Sequence, residues 1–211
     1  MQDSYNLRGD RALSDFDARH RFSIRALYDL PFRGNRLWEG WQLSSIVQAQ
    51  SGNPVNILAG NPSGLNIASF TGNATVRPDV IGPIQVLGHP TQWFANTVCD
   101  PRSPCPAGSV FALPVGTGNV FHFGNLGRNA IRGPGFSDVD FSLLKNTKIT
   151  ESVRLQFRAE AFDIFNHANF GNPGNRVQVG STTFGVVTDT RFATGDSGSS
   201  RQLQFALKLI F

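Results

Sequence analysis

The feature that most constrains this chain is the alternation at its C-terminal end. From Arg201 onward, Leu203, Phe205, Leu207, Leu209 and Phe211 occupy every second position, while Gln202, Gln204, Ala206, Lys208 and Ile210 fill the positions between. Successive side chains of a β-strand point to opposite faces, so this spacing predicts a strand over about 201–211 with one wholly apolar face. A helix would scatter the same residues around its axis. A strand of this kind needs an apolar medium on one side and tolerates water on the other.

The pattern recurs. Val153, Leu155, Phe157, Ala159 and Ala161 alternate with Arg154, Gln156, Arg158 and Glu160, predicting a strand over about 152–164. Val139, Phe141 and Leu143 alternate with Asp138, Asp140 and Ser142 over about 138–145. The link Lys145-Asn146-Thr147-Lys148-Ile149-Thr150 is short enough for a hairpin, and Asp140 facing Arg154 or Arg158 is the expected cross-strand contact. Upstream, Phe22, Ile24, Ala26 and Tyr28 alternate with Arg21, Ser23, Arg25 and Leu27. Trp41, Leu43, Ser45, Val47 and Ala49 alternate with Gln42, Ser44, Ile46, Gln48 and Gln50. These predict strands over about 21–30 and 40–50, joined through the turn-forming run Leu30-Pro31-Phe32-Arg33-Gly34-Asn35-Arg36. Two long stretches rich in Gly, Pro and Asn, 51–136 and 166–200, lack a sustained pattern and read as loops.

Composition narrows the class. Only 16% of residues are charged, and 18 are Phe; an average soluble domain has about 25% charged residues. A chain of this kind faces something other than water. Lys and Arg are scattered without a basic run, which argues against a nucleic-acid partner despite a net charge of +4. No apolar run reaches the roughly 18 residues of a membrane helix. In lipid every backbone polar group must be paired within the protein, so sheets cross membranes as closed barrels with apolar exteriors and polar interiors. Outer-membrane barrels also alternate short periplasmic turns with long extracellular loops, the order seen here. The expectation is an all-β chain: five or so antiparallel strands from the C-terminal part of a transmembrane outer-membrane β-barrel, with long extracellular loops. Tyr28 and Trp41 then lie at the interface with the strand ends, and the short turns and Phe211 lie on the periplasmic side. Soluble β-sandwiches also alternate, so periodicity alone leaves a β-sandwich binding module open, and a barrel whose strands merely display loops as a structural or adhesive surface protein is a further alternative.

Specific motifs carry a resemblance. Gly124-Asn125-Leu126-Gly127-Arg128-Asn129-Ala130-Ile131-Arg132-Gly133-Pro134-Gly135-Phe136, followed by Asp138-Val139-Asp140-Phe141-Ser142-Leu143-Leu144-Lys145, resembles the C-terminal part of Oar-like TonB-dependent receptors. These are outer-membrane proteins of a type common in acidobacteria, with a carboxypeptidase-regulatory-like domain at their N-terminus. Matching stretches in collinear order are Ser14-Asp15-Phe16-Asp17-Ala18-Arg19-His20-Arg21-Phe22, Gln50-Ser51-Gly52-Asn53-Pro54 and Arg158-Ala159-Glu160-Ala161-Phe162-Asp163-Ile164-Phe165-Asn166-His167-Ala168-Asn169-Phe170. The resemblance implies a barrel of about twenty-two strands with a plugged lumen. It further implies uptake of a scarce, unidentified solute driven by the TonB complex, and a terminal strand read by the barrel assembly machinery. Leu203, Phe205, Leu207, Leu209 and Phe211 would be that assembly signal. Met1 to Asn6 show no basic stretch leading into an apolar one, so no export signal is read there. With regulatory domain, plug and TonB box also missing, the chain is expected to be a piece of a longer receptor.

Site chemistry is sparse. Cys99 and Cys105 are the only cysteines; in an external loop a disulfide is the expected fate, since two thiols without nearby His make a poor zinc site. The glycines of 124–135 lack the Gly-Lys-Ser/Thr ending of a phosphate loop, and turns with close backbone approach explain them better. His20, His89, His122 and His167 are dispersed without metal-ligand spacing, and no catalytic grouping or cofactor motif is recognised, so no enzyme activity is expected. Asp140, Arg154, Arg158, Glu160 and Lys208, with Gln42, Gln48 and Gln202, are expected to face the lumen, chiefly as a polar ladder in the wall. Solute contacts are sought in the long loops, whose aromatics include Trp93, Phe94, Phe111, Phe121 and Phe123.

Overall fold

The computed structural model describes residues 5–59, 76–116, 118, 120, 122–191 and 200–211. Phe121 and the loop portions 60–75 and 192–199 lie outside the described residues. In chain order the strands begin with β1 (Arg21–Asp29) and β2 (Trp41–Gln50). Short strands follow: β3 (Pro54–Val55), β4 (Leu58–Ala59), β5 (Asp79–Val80), β6 (Val86–His89), β7 (Gln92–Phe94), β8 (Val98–Cys99), β9 (Phe111–Ala112) and β10 (Ile131–Arg132). Then come β11 (Phe136–Lys148), β12 (Arg154–Phe162), the short β13 (Arg176–Val177) and β14 (Gln202–Ile210). A 3-10 turn spans Leu7–Asp10. The chain divides into two units, one of Met1–Ala18, Gly52–Pro134 and Phe170–Asp189, the other of Arg19–Ser51, Gly135–Asn169 and Thr190–Phe211.

The second unit is a five-stranded antiparallel sheet in the order β1-β2-β11-β12-β14. Its register sorts side chains by face. Tyr28, Leu43, Leu143, Ala159 and Phe205 form one row across all the strands, and Ala26, Ser45, Phe141, Ala161 and Leu203 another. On the opposite face stand Leu27, Ser44, Ser142, Glu160 and Gln204, then Asp29, Gln42, Leu144, Arg158 and Ala206. Residues of the apolar face remain exposed: Phe205 and Leu207 are each 68% accessible, and Phe211 is 94%. Phe157 and Phe205 stack across β12 and β14 with centroids 6.4 Å apart. A sandwich would cover such a face with a second sheet; lipid covers it equally well.

The hairpin between β11 and β12 departs from the sequence-based expectation. β11 runs to Lys148, so most of the expected link is strand, and the turn is tighter: Ile149 N and Thr150 N both donate to Val153 O, and Val153 N donates to Thr150 Oγ1. Turn length sets register in a hairpin. Leu144 therefore pairs with Arg158 and Lys148 with Arg154, and Asp140 meets neither arginine. Asp140 Oδ1 instead accepts from Asp163 N at 3.2 Å. β12 stops at Phe162 because Asp163 adopts φ 45°, and Asn166 follows with φ 52°; left-handed residues cannot continue a ladder.

The long stretches expected to be patternless loops build a unit with its own core. Ile57, Val76, Phe94, Phe111, Leu126, Ile131, Val177 and Phe184 are buried together in it. Phe94, Phe111 and Phe184 form an edge-to-face triangle with centroids 5.2 to 5.9 Å apart. Small sheets frame this core: β3 with β10, β4 parallel to β13, β5 with β9 and β8, and β6 with β7. The strands are two to four residues long, too short for period-two alternation to register. Phe94 and Phe111 are thus packing residues and not solute contacts. Trp93 likewise commits its Nε1 to Arg132 O at 2.8 Å.

Glycine matters where backbones meet. A Cβ on Gly52 would lie 1.8 Å from Gly133 O, and one on Gly124 would lie 2.1 Å from Arg77 O. Gly52 thus permits close approach to Gly133, where two matched motifs touch, and Gly124 permits it against Arg77.

Candidate functional site

The polar face of the sheet gathers the charged residues of the long strands. Its contacts form a ladder: Gln42 Nε2 donates to Asp29 Oδ1 at 2.6 Å, Gln156 Nε2 donates to Asn146 Oδ1 at 2.9 Å, and Arg158 Nη1 lies 3.6 Å from Glu160 Oε1. Gln156 stands on the polar side of its strand in the sequence pattern, but Asp29 and Asn146 carry no such signal; Asn146 reads as turn material until the register places it opposite Gln156. Asp138, Asp140 and Glu160 lie toward the end where the long connections join, whereas Lys148, Arg154 and Lys208 lie toward the hairpin turns.

One cation breaks the apolar face. Lys145 pairs with Trp41 and Phe157, yet is buried. Its Nζ donates to Arg36 O at 2.8 Å and also to Glu39 O, and sits 5.3 Å from the Trp41 ring centroid. The stem stays in the apolar row while the ammonium reaches carbonyls of the β1–β2 turn, as long cationic side chains do near a membrane edge. Trp41 Nε1 donates to Leu37 O at 2.9 Å, fixing the same turn.

The matched motifs acquire physical roles. Asp163 Oδ1 accepts from His167 N, and Arg201 N donates to Asn166 Oδ1. Asn169 works as a surrogate strand residue: its Oδ1 accepts from Ser137 N and its Nδ2 donates to Ser137 O, both at 2.8 Å. The run Asp163 to Phe170 therefore closes backbone pairing at the start of β11.

In the other unit, Asp15 Oδ1 accepts from Asn129 Nδ2 at 2.7 Å and both Asp15 oxygens lie 3.3 Å from Arg128 Nη2. Asp17 Oδ2 accepts from Arg132 Nη2 at 2.5 Å, and Arg132 Nη1 donates to Gly52 O. Arg77, almost fully buried, donates to Asp10 Oδ1 at 2.5 Å, Gly9 O and Leu126 O. Hydrogen bonding from Asn129, with the nearby Arg128 guanidinium, holds the Asp15 carboxyl below its ordinary value. Arg102 does the same for Asp100 in the cysteine loop, and burial lowers Arg191, which lies over the Phe136 ring.

Cys99 and Cys105 are joined, with Cα atoms 4.8 Å apart. Because so short a loop is closed, replacing both by Ser is expected to raise protease cleavage between residues 100 and 104 while leaving the sheet's heat-dependent gel migration unchanged. Loss of that migration shift would show a wider role. His122 Nε2 lies 2.6 Å from Asp79 Oδ2, and His167 Nδ1 lies 3.4 Å from Ser137 Oγ. Among the described residues no group of His, Cys, Asp and Glu is arranged to hold a metal ion.

A sheet with one apolar and one polar face, joined by short turns at one end and long connections at the other, is the form of a membrane barrel wall. A family model described as an outer membrane beta barrel domain matches residues 1–204. The chain belongs to that family. No curated protein and no solved structure matches it. An outer membrane beta barrel domain resides in the outer membrane, and that is the location of this chain. In such domains lipid-facing and lumen-facing residues alternate along each strand. The rows containing Phe205 and Gln204 divide in that manner.

Proposed function

We propose that the chain supplies part of the barrel wall and external loops of an Oar-like TonB-dependent receptor that takes up a solute. The observation that carries this reading is the sheet itself. Its long connections all join at one end of the strands, near Arg21, Gln50, Phe136, Phe162 and Gln202, and its short turns lie at the other. On this reading the long connections are extracellular and the turns periplasmic. Asp140, Arg154, Arg158, Glu160 and Lys208 face the lumen, where they brace the wall against an aqueous interior or a plug.

Closure demands more strands. Among the described residues β1 and β14 each have one partner in the sheet, and an open edge in hydrocarbon leaves backbone groups unpaired at several kcal/mol each. Further strands, and the plug that couples a receptor to the TonB complex, are supplied by the rest of the receptor. Source DNA upstream of Met1 tests this: a continuous frame encoding strands, plug and TonB box supports it. An in-frame stop with no such sequence nearby overturns it.

The terminal strand doubles as the signal read by the barrel assembly machinery. Deleting Phe211 is expected to lower the amount of heat-modifiable protein in outer membranes more than Lys208→Gln does, because Phe211 belongs to the apolar set and Lys208 faces the lumen. Equal yields from the two variants would contradict the assignment.

A further inference from the structure

The unit built by the long connections holds a small cavity of ≈ 230 Å³, whose lining includes Asn6, Arg77, Phe123, Gly124, Asn125 and Gly127. Its walls are fixed from behind. Val80 N donates to Asn125 Oδ1 at 2.8 Å, Asn125 N donates to Asp79 Oδ1 at 3.1 Å, and Leu126 N donates to Pro78 O. A cavity with ordered walls loses little freedom when it is filled. Several groups that face it are uncommitted. Phe123 is 40% exposed and stacks on no other ring among the described residues. Asn6 Oδ1 accepts from Gly9 N, but Asn6 Nδ2 donates to no described residue. A Cβ on Gly127 would meet nothing within 4 Å, so the backbone there borders open space.

These groups indicate a ligand class. Arg77 gives its N–H groups to Asp10 Oδ1, Gly9 O and Leu126 O, so a carboxylate already matches its charge. Among the described residues no carboxylate lines the cavity. The balance favours neither an anion nor a cation. A wholly apolar ligand would strip water from the Asn6 amide without replacing its hydrogen bonds, at a cost. What fits is a neutral ring with hydroxyls on its edge and C–H groups on its face. The C–H face lies on the negative face of an aromatic ring, and a carboxamide offers both donors and an acceptor to neighbouring hydroxyls. Drug-sized ligands occupy about 300–1,000 Å³, so this cavity suits a single sugar ring or the end of a chain of them. We propose that the cavity binds a neutral sugar, with Phe123 as the platform and the Asn6 amide on its hydroxyls. That this sugar is the solute taken up rests on the function proposed above; the binding site does not.

The test is saturation-transfer NMR on protein extracted from outer membranes in a detergent without a sugar headgroup, titrated with maltose, cellobiose and lactose, and with citrate as a small anion. Wild-type protein should give a saturable signal with at least one of the three sugars and none with citrate. Phe123→Ala and Asn6→Ala should each weaken that binding by on the order of tenfold, through loss of the platform and of the amide hydrogen bonds. Gly127→Leu, whose side chain enters open space, should block it by filling the cavity. Leu87→Ala, at an exposed residue of β6 that does not line the cavity, should keep it. Heat-dependent migration and protease resistance check that each variant is folded. Binding of none of the three sugars by wild type overturns the proposal, as does equal binding by wild type and the folded Phe123→Ala and Gly127→Leu variants. So does binding of citrate in place of sugar. No readout depends on a TonB complex or on solute uptake, so the site can fail while the receptor reading stands.

Discussion

Phe205→Arg should sharply reduce the folded protein recovered from outer membranes, while Gln204→Arg, one residue away, should leave recovery almost unchanged. Phe205 lies near the middle of β14 in the row with Leu43, Leu143 and Ala159. An arginine on the lipid face near the bilayer midplane costs about 2–4 kcal/mol. Gln204 stands in the row of Ser142 and Glu160, where water is accessible and a further cation meets a carboxylate. With each substitution made in the receptor that closes the barrel, the measurement is the fraction of each variant that shifts mobility on heating, followed by urea unfolding in lipid vesicles. Similar losses for both variants would mean that the two faces do not separate lipid from water.

Phe111→Ala should unfold the unit built by the long connections. Phe111 is fully buried and touches Phe94 and Phe184 edge to face. Truncating a buried Phe to Ala typically costs about 3–5 kcal/mol, a large share of the stability of a unit with so small a core. The expected result is rapid protease cleavage of surface-exposed segments on intact cells, with the sheet still heat-modifiable. Phe123→Ala, at a residue already exposed, should shift stability by about 0.5 kcal/mol or less. If Phe111→Ala leaves cleavage unchanged, the triangle of rings is not what holds the unit together.

Where sequence reasoning succeeded and failed follows from the range of each interaction. The β14 pattern is local: five apolar residues at every second position can satisfy only one strand geometry. The same holds for β1, β2, β12 and the first part of β11. Lys145 hid the rest of β11, because a cation in an apolar row resembles the beginning of a turn. Its role is visible only when Arg36 O and Glu39 O, far away in sequence, are seen beneath its ammonium. The expected Asp140 contact failed for a related reason. Pairing depends on where the turn falls, and the turn falls at Ile149 to Val153.

The core of the long connections was illegible for a different reason. Its strands are too short to alternate, and Phe94, Phe111 and Phe184 come from separate stretches that meet only on folding. Even so, the motifs that carry the family resemblance held the answer in chemical form. Asp15 and Asp17 in one, Arg128, Asn129 and Arg132 in another, are complementary partners awaiting a register.

The sequence by itself therefore determined an all-β wall with one apolar and one polar face, because strand period is a local property of the backbone. Tertiary structure alone decided the strand register, the packing of the long connections around three phenylalanines, and the meeting of Asn6, Arg77 and Phe123 around one cavity. Each of these depends on residues distant in the chain, whose proximity no local pattern encodes.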